Sequence, residues 1–444
     1  MAVASLLWPS FPLDVVLSFC EPAALFAFDA TCRHAHEAVN ESLRARVLRM
    51  LPPSQHALLQ PEQPWRELYR AMHAGAPLLC WTRAPSLDRP RFAHSTVVYK
   101  SHVVVFGGRH GPTYLNDVAT LSLRSLEWLP DVTRGARPSP KRAHTAVVLG
   151  QRMYVLGGGS DVCPGSDEMH ELDLELLEWR ALSRPPGWSF LGHTCVPVGR
   201  SRLVVFGGCW WGDEFKVTDE LREYDIEMDE WAAPAAVGAK PCARYRHSMV
   251  CVPGGKGEGG GDLCVLYGGY VSTWRDGCPR LDGSWSYNRC DMLTLDTRTY
   301  SWARVRLSGP EPLPRGAHSC VALGNGRLLF FGGGILFFDG VEHMEEDCDE
   351  LFAVDTTSWT FETIEPRHAQ RGGERSAPSA RGSHTAVVAA CAGTLGVLVL
   401  GGRDYNRGGS AEREIHRGRA DGWLLACAAA APDALAHDAT AAGS

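Results

Sequence analysis

Two textures of apolar and polar patterning divide the chain. Through residue 75, apolar residues recur three and four apart in FPLDVVLSFC, PAALFAFDATCRHAHEAV, ESLRARVLRML and PWRELYRAMHA, the period of an amphipathic helix. Pro12 and Pro22 stand where helices would take their first turns. From residue 77 to 427 the period falls to two. Short runs such as STVVY and HVVVFGG alternate with turn residues, the signal of β-strands. The pattern predicts a small all-α domain over 5–75, an all-β domain over 77–427 and a disordered Ala-rich tail over 428–444.

The β texture repeats in four columns. A His followed by Ser or Thr falls at His94, His144, His193, His247, His318 and His384. Gly pairs follow at 107–108, 157–158, 207–208, 268–269, 332–333 and 401–402. The next run opens at Asp117, Asp167, Asp219, Asp291, Asp349 and Asp421, and a Trp comes later at Trp128, Trp179, Trp231, Trp302 and Trp359. Each copy holds four strand-like runs, and small sheets that bury their faces on one another in a radial stack make a β-propeller. Six blades are expected. The sixth copy stops at ADGWLLAC, whereas PLLCWTRAP, similar to the fourth-strand segments, stands ahead of the first copy. The strand near Trp81 is therefore expected to pair with the one near Trp423 and seal the ring, which removes open edges.

These columns resemble the kelch repeat over residues 78–427. The N-terminal stretch resembles an F-box. Phe11-Pro12 stands for the family's Leu-Pro opening, followed by Leu13, Val16, Leu17, Leu25, Cys32 and Arg33, with Ala35 in the place of the usual Trp. The resemblance implies a non-catalytic substrate receptor of an SCF-type cullin–RING ubiquitin ligase. Phe11, Pro12, Leu13, Val16, Leu17, Leu25, Cys32 and Arg33 would dock the Skp-type adaptor, and the propeller would hold a protein substrate. A non-ligase kelch scaffold and a metal-dependent kelch enzyme are the alternatives. Against the enzyme, the Glu-x3-Asp-x3-His run of iron-binding specifier proteins is incomplete: Glu345 and Asp349 are present, but Ala353 fills the third place.

Antiparallel connectivity puts the loops between second and third strands on one face with the links between blades. The long insertions fall there, carrying Trp210 and Trp211, then Trp274, Arg275, Trp285 and Tyr287, then Phe338, then Tyr405. Exposed Trp, Tyr and Arg anchor interfaces, so this face is the expected substrate site, unless the aromatics fold back as loop cores.

Composition narrows the chemistry. A net charge of -7 provides no basic footprint for nucleic acid. The apolar stretch from Val15 to Ala30 is broken by Glu21, Pro22 and Asp29 and is no membrane span. Fifteen Cys with no CxxC and no secretory signal point to free thiols in the cytoplasm or nucleus. The six His are spread around the ring by the repeat and read as structural, bonding local backbone. Gly255, Gly257 and Gly260 satisfy GxGxxG but join two strands, so they form a flexible insertion. The cluster of Cys32, His34 and His36 has i,i+2 spacing, which does not share a helix face. The acidic run 339–349, with His343, Glu345, Glu346, Asp347 and Asp349, reads as a solvated loop rather than a metal site. No cofactor is expected.

Overall fold

The computed structural model describes residues 39, 41–45 and 79–427, apart from 213, 253–261, 273–277, 280–284, 310, 324–325, 339–342, 367–376, 392–393 and 404–417. Six sheets of four or five strands form the blades of a propeller. The first blade runs Ser95–Tyr99, His102–His110, Thr113–Ser122 and Trp128–Leu129 in spatial order. The innermost strands of successive blades lie side by side: Ser95–Tyr99, Thr145–Leu149, Thr194–Val198, Ser248–Val252, Ser319–Ala322 and Thr385–Cys391. Blades two and four gain a two-residue outer strand, at Arg134–Gly135 and Val237–Gly238, parallel to its neighbour.

The sixth blade is built from both ends of the ring. Leu79–Ala84 supplies its outer strand, pairing residue for residue with Gly422–Cys427 so that Trp81 faces Leu425 and Arg83 faces Trp423. Trp81 is buried and its ring lies 5.3 Å from that of Phe331 in blade five. Other seams are packed in the same way. Phe106 of blade one meets Trp179 of blade two at 5.2 Å, and Phe206 of blade three meets Trp302 of blade four at 5.1 Å.

The repeated columns explain themselves at the hub. Each column His gives its Nε2 to a hydroxyl of the preceding blade: His144 to Ser95 at 2.8 Å, His193 to Thr145 at 2.9 Å, His247 to Thr194 at 2.8 Å, His318 to Ser248 at 2.8 Å, His384 to Ser319 at 2.8 Å and His94 to Thr385 at 2.9 Å. Beyond the local backbone bond expected, these bonds cross every seam, and the six close a circle. Burial keeps these imidazoles neutral, pushing His144, His193 and His384 down to about 3. The Gly pair makes room for them. A Cβ on Gly107 would stand 3.1 Å from Cε1 of His144, and one on Gly108 would stand 2.8 Å from Cβ of His94; both glycines also have left-handed φ, 60° and 95°.

A fifth column lies three residues before the His. Arg91, Lys141, Arg244, Arg315 and Arg381 are all fully buried or nearly so. Their partners are Asp117 at 2.9 Å, Glu168 at 2.5 Å, Asp291 at 2.8 Å, Glu350, and Asp421 at 2.8 Å. Burial alone would raise the Glu168 carboxyl, yet the Lys141 ammonium beside it brings it down to about 2. Blade three departs from the pattern. Phe190 replaces the cation, and buried Trp188 packs edge-on against His193 at 4.7 Å.

Immediately before each column His, the chain takes a left-handed turn at Ala93, Ala143, Gly192, Arg246, Ala317 and Ser383, with φ between 51° and 68°. Their peptides form a second closed circle. Ala143 N–H donates to Ala93, Gly192 to Ala143, Arg246 to Gly192, Ala317 to Arg246, Ser383 to Ala317 and Ala93 to Ser383, at 2.6–2.8 Å. The side of the ring that carries this circle and the Gly pairs is called the axial face below.

Two expectations are overturned. The all-α F-box-like domain over 5–75 is not seen: among the described residues the only helix comprises 39 and 41–45. Phe11, Pro12, Leu13, Val16, Leu17, Leu25, Cys32 and Arg33 lie outside the described residues, as do the GxGxxG insertion and the tail 428–444. The helical spacing of those stretches is shared by many helices, and the chain departs from the F-box pattern at Phe11 for Leu and Ala35 for Trp. Secondly, the thiols are not all free. Cys251 and Cys264, directly opposed in blade four, form a disulfide, while eight other described cysteines are free. No helix among the described residues is long and apolar enough to cross a membrane.

Candidate protein-binding face

The described parts of the insertions on the axial face pair into strands. In blade three, Cys209–Trp211 and Phe215–Val217 form a hairpin. The insertions of blades four and five join in one accessory sheet, ordered Cys278–Pro279, Trp285–Ser286, Gly334–Phe338 and His343–Asp347, with Ser286 opposite Phe337 as the link. Leu191, Cys209, Tyr245, Tyr270 and Ala317 pack together as one buried apolar cluster. Burial pushes the Cys209 thiol up to about 12, so that cysteine is packing material and not a nucleophile.

The predicted site residues fall into three groups. Trp211 is the outlier: it is 53% exposed, with its indole N–H donated to the Cys209 sulfur at 3.2 Å. Trp210, next to it, is partly buried, within 5.9 Å of the Lys216 ammonium. Tyr287 is half-buried and its backbone N–H bonds to the Leu336 carbonyl at 2.8 Å. Trp285 and Phe338 sit in the accessory sheet, opposite Pro279 and His343. Trp274, Arg275 and Tyr405 lie outside the described residues. From Trp211 an aromatic series runs inward: Phe215 at 4.5 Å, then Tyr245 at 5.7 Å, then Tyr270 at 5.3 Å. Phe215 is also exposed, at 40%.

Sequence reasoning missed the charges that surround this series. Arg109, Arg142, Arg246 and Arg403 all issue from the axial face, beside the Gly pairs or the circle of peptides. Two of them have acidic neighbours. Arg403 pairs with Glu345 at 3.2 Å, and Tyr270 donates its hydroxyl to the same carboxylate at 2.7 Å. Arg109 lies 4.0 Å from Asp161, which also accepts the Tyr114 hydroxyl. The guanidinium groups of Arg142 and Arg246 have neither a carboxylate nor a hydrogen-bond partner among the described residues. Burial first, then the charge of Arg246 and more weakly those of Arg109 and Arg403, bring Arg142 down to about 10, with Tyr114 opposing. A cleft of about 240 Å³ opens between Arg142, Asp161, Leu191 and Trp211. One signal was available: among the six residues of the peptide circle, Arg246 is the only charged one.

Among the described residues no group of three His, Cys, Asp or Glu is placed to hold an ion. Glu345 is spent on Arg403 and Tyr270.

Fold and face together define a six-bladed propeller with one elaborated side, and comparison with known proteins agrees. Residues 78–189 and 192–413 match the family model described as the KLHDC2/KLHL20/DRC7 Kelch-repeats domain. The chain belongs to that kelch-repeat family. The match begins at 78, and no F-box is found ahead of it. The chain is similar to host cell factor 1 of Homo sapiens, 30% identical over 326 residues, 68% of this chain and 15% of that protein. It is similar to host cell factor 2 of Homo sapiens, 26% identical over 342 residues, 71% of this chain and 40% of that protein. A third relative, the Rho GTPase-activating protein gacHH of Dictyostelium discoideum, is 32% identical over 126 residues, 27% of this chain and 8% of that protein. The chain thus spans less than half the length of each of these curated relatives.

Proposed function

We propose that this chain is a non-catalytic protein-binding scaffold that grips its partner on the axial face around Trp211. One observation carries the reading. The described insertions of blades three, four and five rise on a single side of the ring, and that side presents an exposed Trp211–Phe215 pair next to arginines that no carboxylate among the described residues neutralises. Aromatic and arginine anchors on a stiff support are what a protein interface needs. Kelch-family membership and the similarity to host cell factors support a scaffold over a ligase receptor. Eight free cysteines among those described support a reducing setting, cytoplasm or nucleus.

The test is a photo-crosslinking residue installed at Phe215 and, as a control, at Leu176, an exposed leucine of a strand-joining turn on the opposite side. A discrete crosslinked protein from the Phe215 position alone, lost on Trp211→Ala, is the expected result. Equal crosslinking from both positions sinks the assignment of the face.

A further inference from the structure

We propose that Cys251 and Cys264 form a redox-switched lock on blade four, closed by small-molecule disulfides and opened by small-molecule thiols, with the blade keeping its shape in both states. The pair lies at the end of the inner hairpin remote from the Gly pair 268–269 and from the axial face.

Cys251 and Cys264 are directly opposed on Ser248–Val252 and Leu263–Tyr267, with their Cα atoms 4.0 Å apart. That is the close spacing of an antiparallel pair that exchanges no ladder hydrogen bonds. The other five blades carry an apolar pair at this place: Val98 and Val103, Val148 and Met153, Pro197 and Leu203, Ala322 and Leu328, Val388 and Val397. A reduced cysteine packs as a small apolar side chain. Five blades thus form the same sheet without a covalent tie, and the reduced pair fits where they place Val, Ala or Leu.

Blade four differs from the others in how these two strands are joined. The other inner hairpins turn in two to four residues, whereas here ten intervene, 253–262, and six of them are glycine. A tight turn fixes the register of a hairpin. A glycine-rich connection does not, and its freedom adds to the entropy lost when the strands pair. Among the described residues, the longest inner connection and the opposed cysteine pair fall in the same blade. A bond between residues 13 apart removes that freedom from the opened hairpin, so the state of two sulfurs sets how firmly blade four holds together.

Exposure gives the two sulfurs different parts. Cys264 is fully buried in the cluster that joins blades three and four, with Val198, Phe206 and Trp302, and Cys251 is only partly buried against it. In closing, the Cys251 thiolate attacks a small disulfide, a mixed disulfide forms and one small thiolate leaves. The Cys264 thiol then gives up its proton, its sulfur attacks Sγ of Cys251, and the second small thiolate leaves. The two cysteines lose two electrons and two protons, and the small disulfide gains both to become two thiols. Opening runs in reverse, with an outside thiolate attacking Cys251. The other described cysteines are free. Burial pushes the thiols of Cys195, Cys209 and Cys391 up to about 12, which makes them poor nucleophiles. In a setting that keeps thiols reduced, a directly opposed pair responds to oxidant and is not a permanent brace.

The test equilibrates the full chain in glutathione buffers from fully reduced to fully oxidised and reads each thiol by differential alkylation and mass spectrometry. Cys251 and Cys264 are expected to interconvert together across the series while Cys195, Cys209 and Cys391 stay reduced. The oxidised chain should melt about 3–8 °C above the reduced one, and amide exchange in Ser248–Val252 and Leu263–Tyr267 should slow roughly tenfold. The double variant Cys251→Val, Cys264→Val copies the Val98 and Val103 pair of blade one. It should fold, melt with the reduced chain and lose all response to glutathione. A pair that stays reduced in oxidised glutathione overturns the proposal. A pair that stays oxidised in reduced glutathione overturns it too, by making the bond a permanent strut. Equal melting of the two states, or a double variant that fails to fold, overturns it as well.

Discussion

The hub and the axial face use the same residue types to opposite effect. At the hub every described cation of the repeat column is matched: Arg244 is fully buried and reaches Asp291 at 2.8 Å, and the other four do likewise. On the axial face, Arg142 and Arg246 stand unmatched among the described residues and Trp211 is left half in water. The hub residues recur blade after blade, and the face residues do not. In a repeat protein, recurrence marks what holds the ring, and departure from recurrence marks what the ring is for.

The comparison can be broken most severely at the ring's latch. Deleting Leu79–Ala84 bares the edge strand Gly422–Cys427 and uncovers Phe331. The expected outcome is loss of cooperative unfolding by circular dichroism and calorimetry, whereas Trp81→Ala alone should cost about 3–5 kcal/mol in a denaturant titration. A folded, cooperative deletion variant would show that the latch is ornamental.

Acid attacks the hub next. The six column imidazoles are held neutral by burial, with three at about 3, while an unfolded His titrates near ~6.5. Their contribution is whole above the unfolded value and disappears as pH falls from ~6.5 towards ~3, because the unfolded chain then binds more protons. Each adds about 1.4 kcal/mol per pH unit to the slope in that window. Stability should be flat above neutrality and fall steeply below pH ~6, with a proton uptake on unfolding that approaches the number of column His. A flat profile to pH 4 contradicts the buried circle.

A matched pair of substitutions sharpens the contrast among blades. Asp291→Ala strands Arg244 without its carboxylate and should cost about 3–5 kcal/mol. Glu220→Ala in blade three, where Phe190 replaces the buried cation, removes only a surface contact to Arg222 and should cost under about 1 kcal/mol. Equal costs would mean that the ion-pair column carries no special burden.

The smallest effect on the fold should come from the face. Trp211→Ala is expected to change stability by no more than about 0.5 kcal/mol while abolishing partner crosslinking. A large destabilisation would return Trp211 to the structural residues.

The propeller was legible because its signal is written six times, and periodicity survives the loss of any one column. The site was legible only in part. Trp211 could be read as an exposed anchor, but the accessory sheet could not: Trp285–Ser286 is a two-residue strand whose partner, Gly334–Phe338, comes from another blade's insertion. The acidic column was read one residue early in two blades, where Glu168 and Glu350, not Asp167 and Asp349, hold the buried cations. Its basic counterpart escaped notice because Lys141 and Phe190 interrupt the run of arginines. The mouth arginines became visible only on ring closure, since Arg142 and Arg246 are separated by a hundred residues of chain. The helical reading of the first seventy-five residues went too far for a physical reason: three- and four-residue spacing identifies an amphipathic helix, never which helix.

The latch also sets a timetable for synthesis. The Thr82 hydroxyl donates to the Leu424 carbonyl, 342 residues later in the chain. At translation rates of roughly 5–20 residues per second, a ribosome leaves the strand around Trp81 waiting about 17–70 s for its mate. Until then the growing arc exposes an unpaired edge at each end, one of them bearing a tryptophan. A message cut short before Gly422 therefore yields not most of a propeller but an open, adhesive crescent.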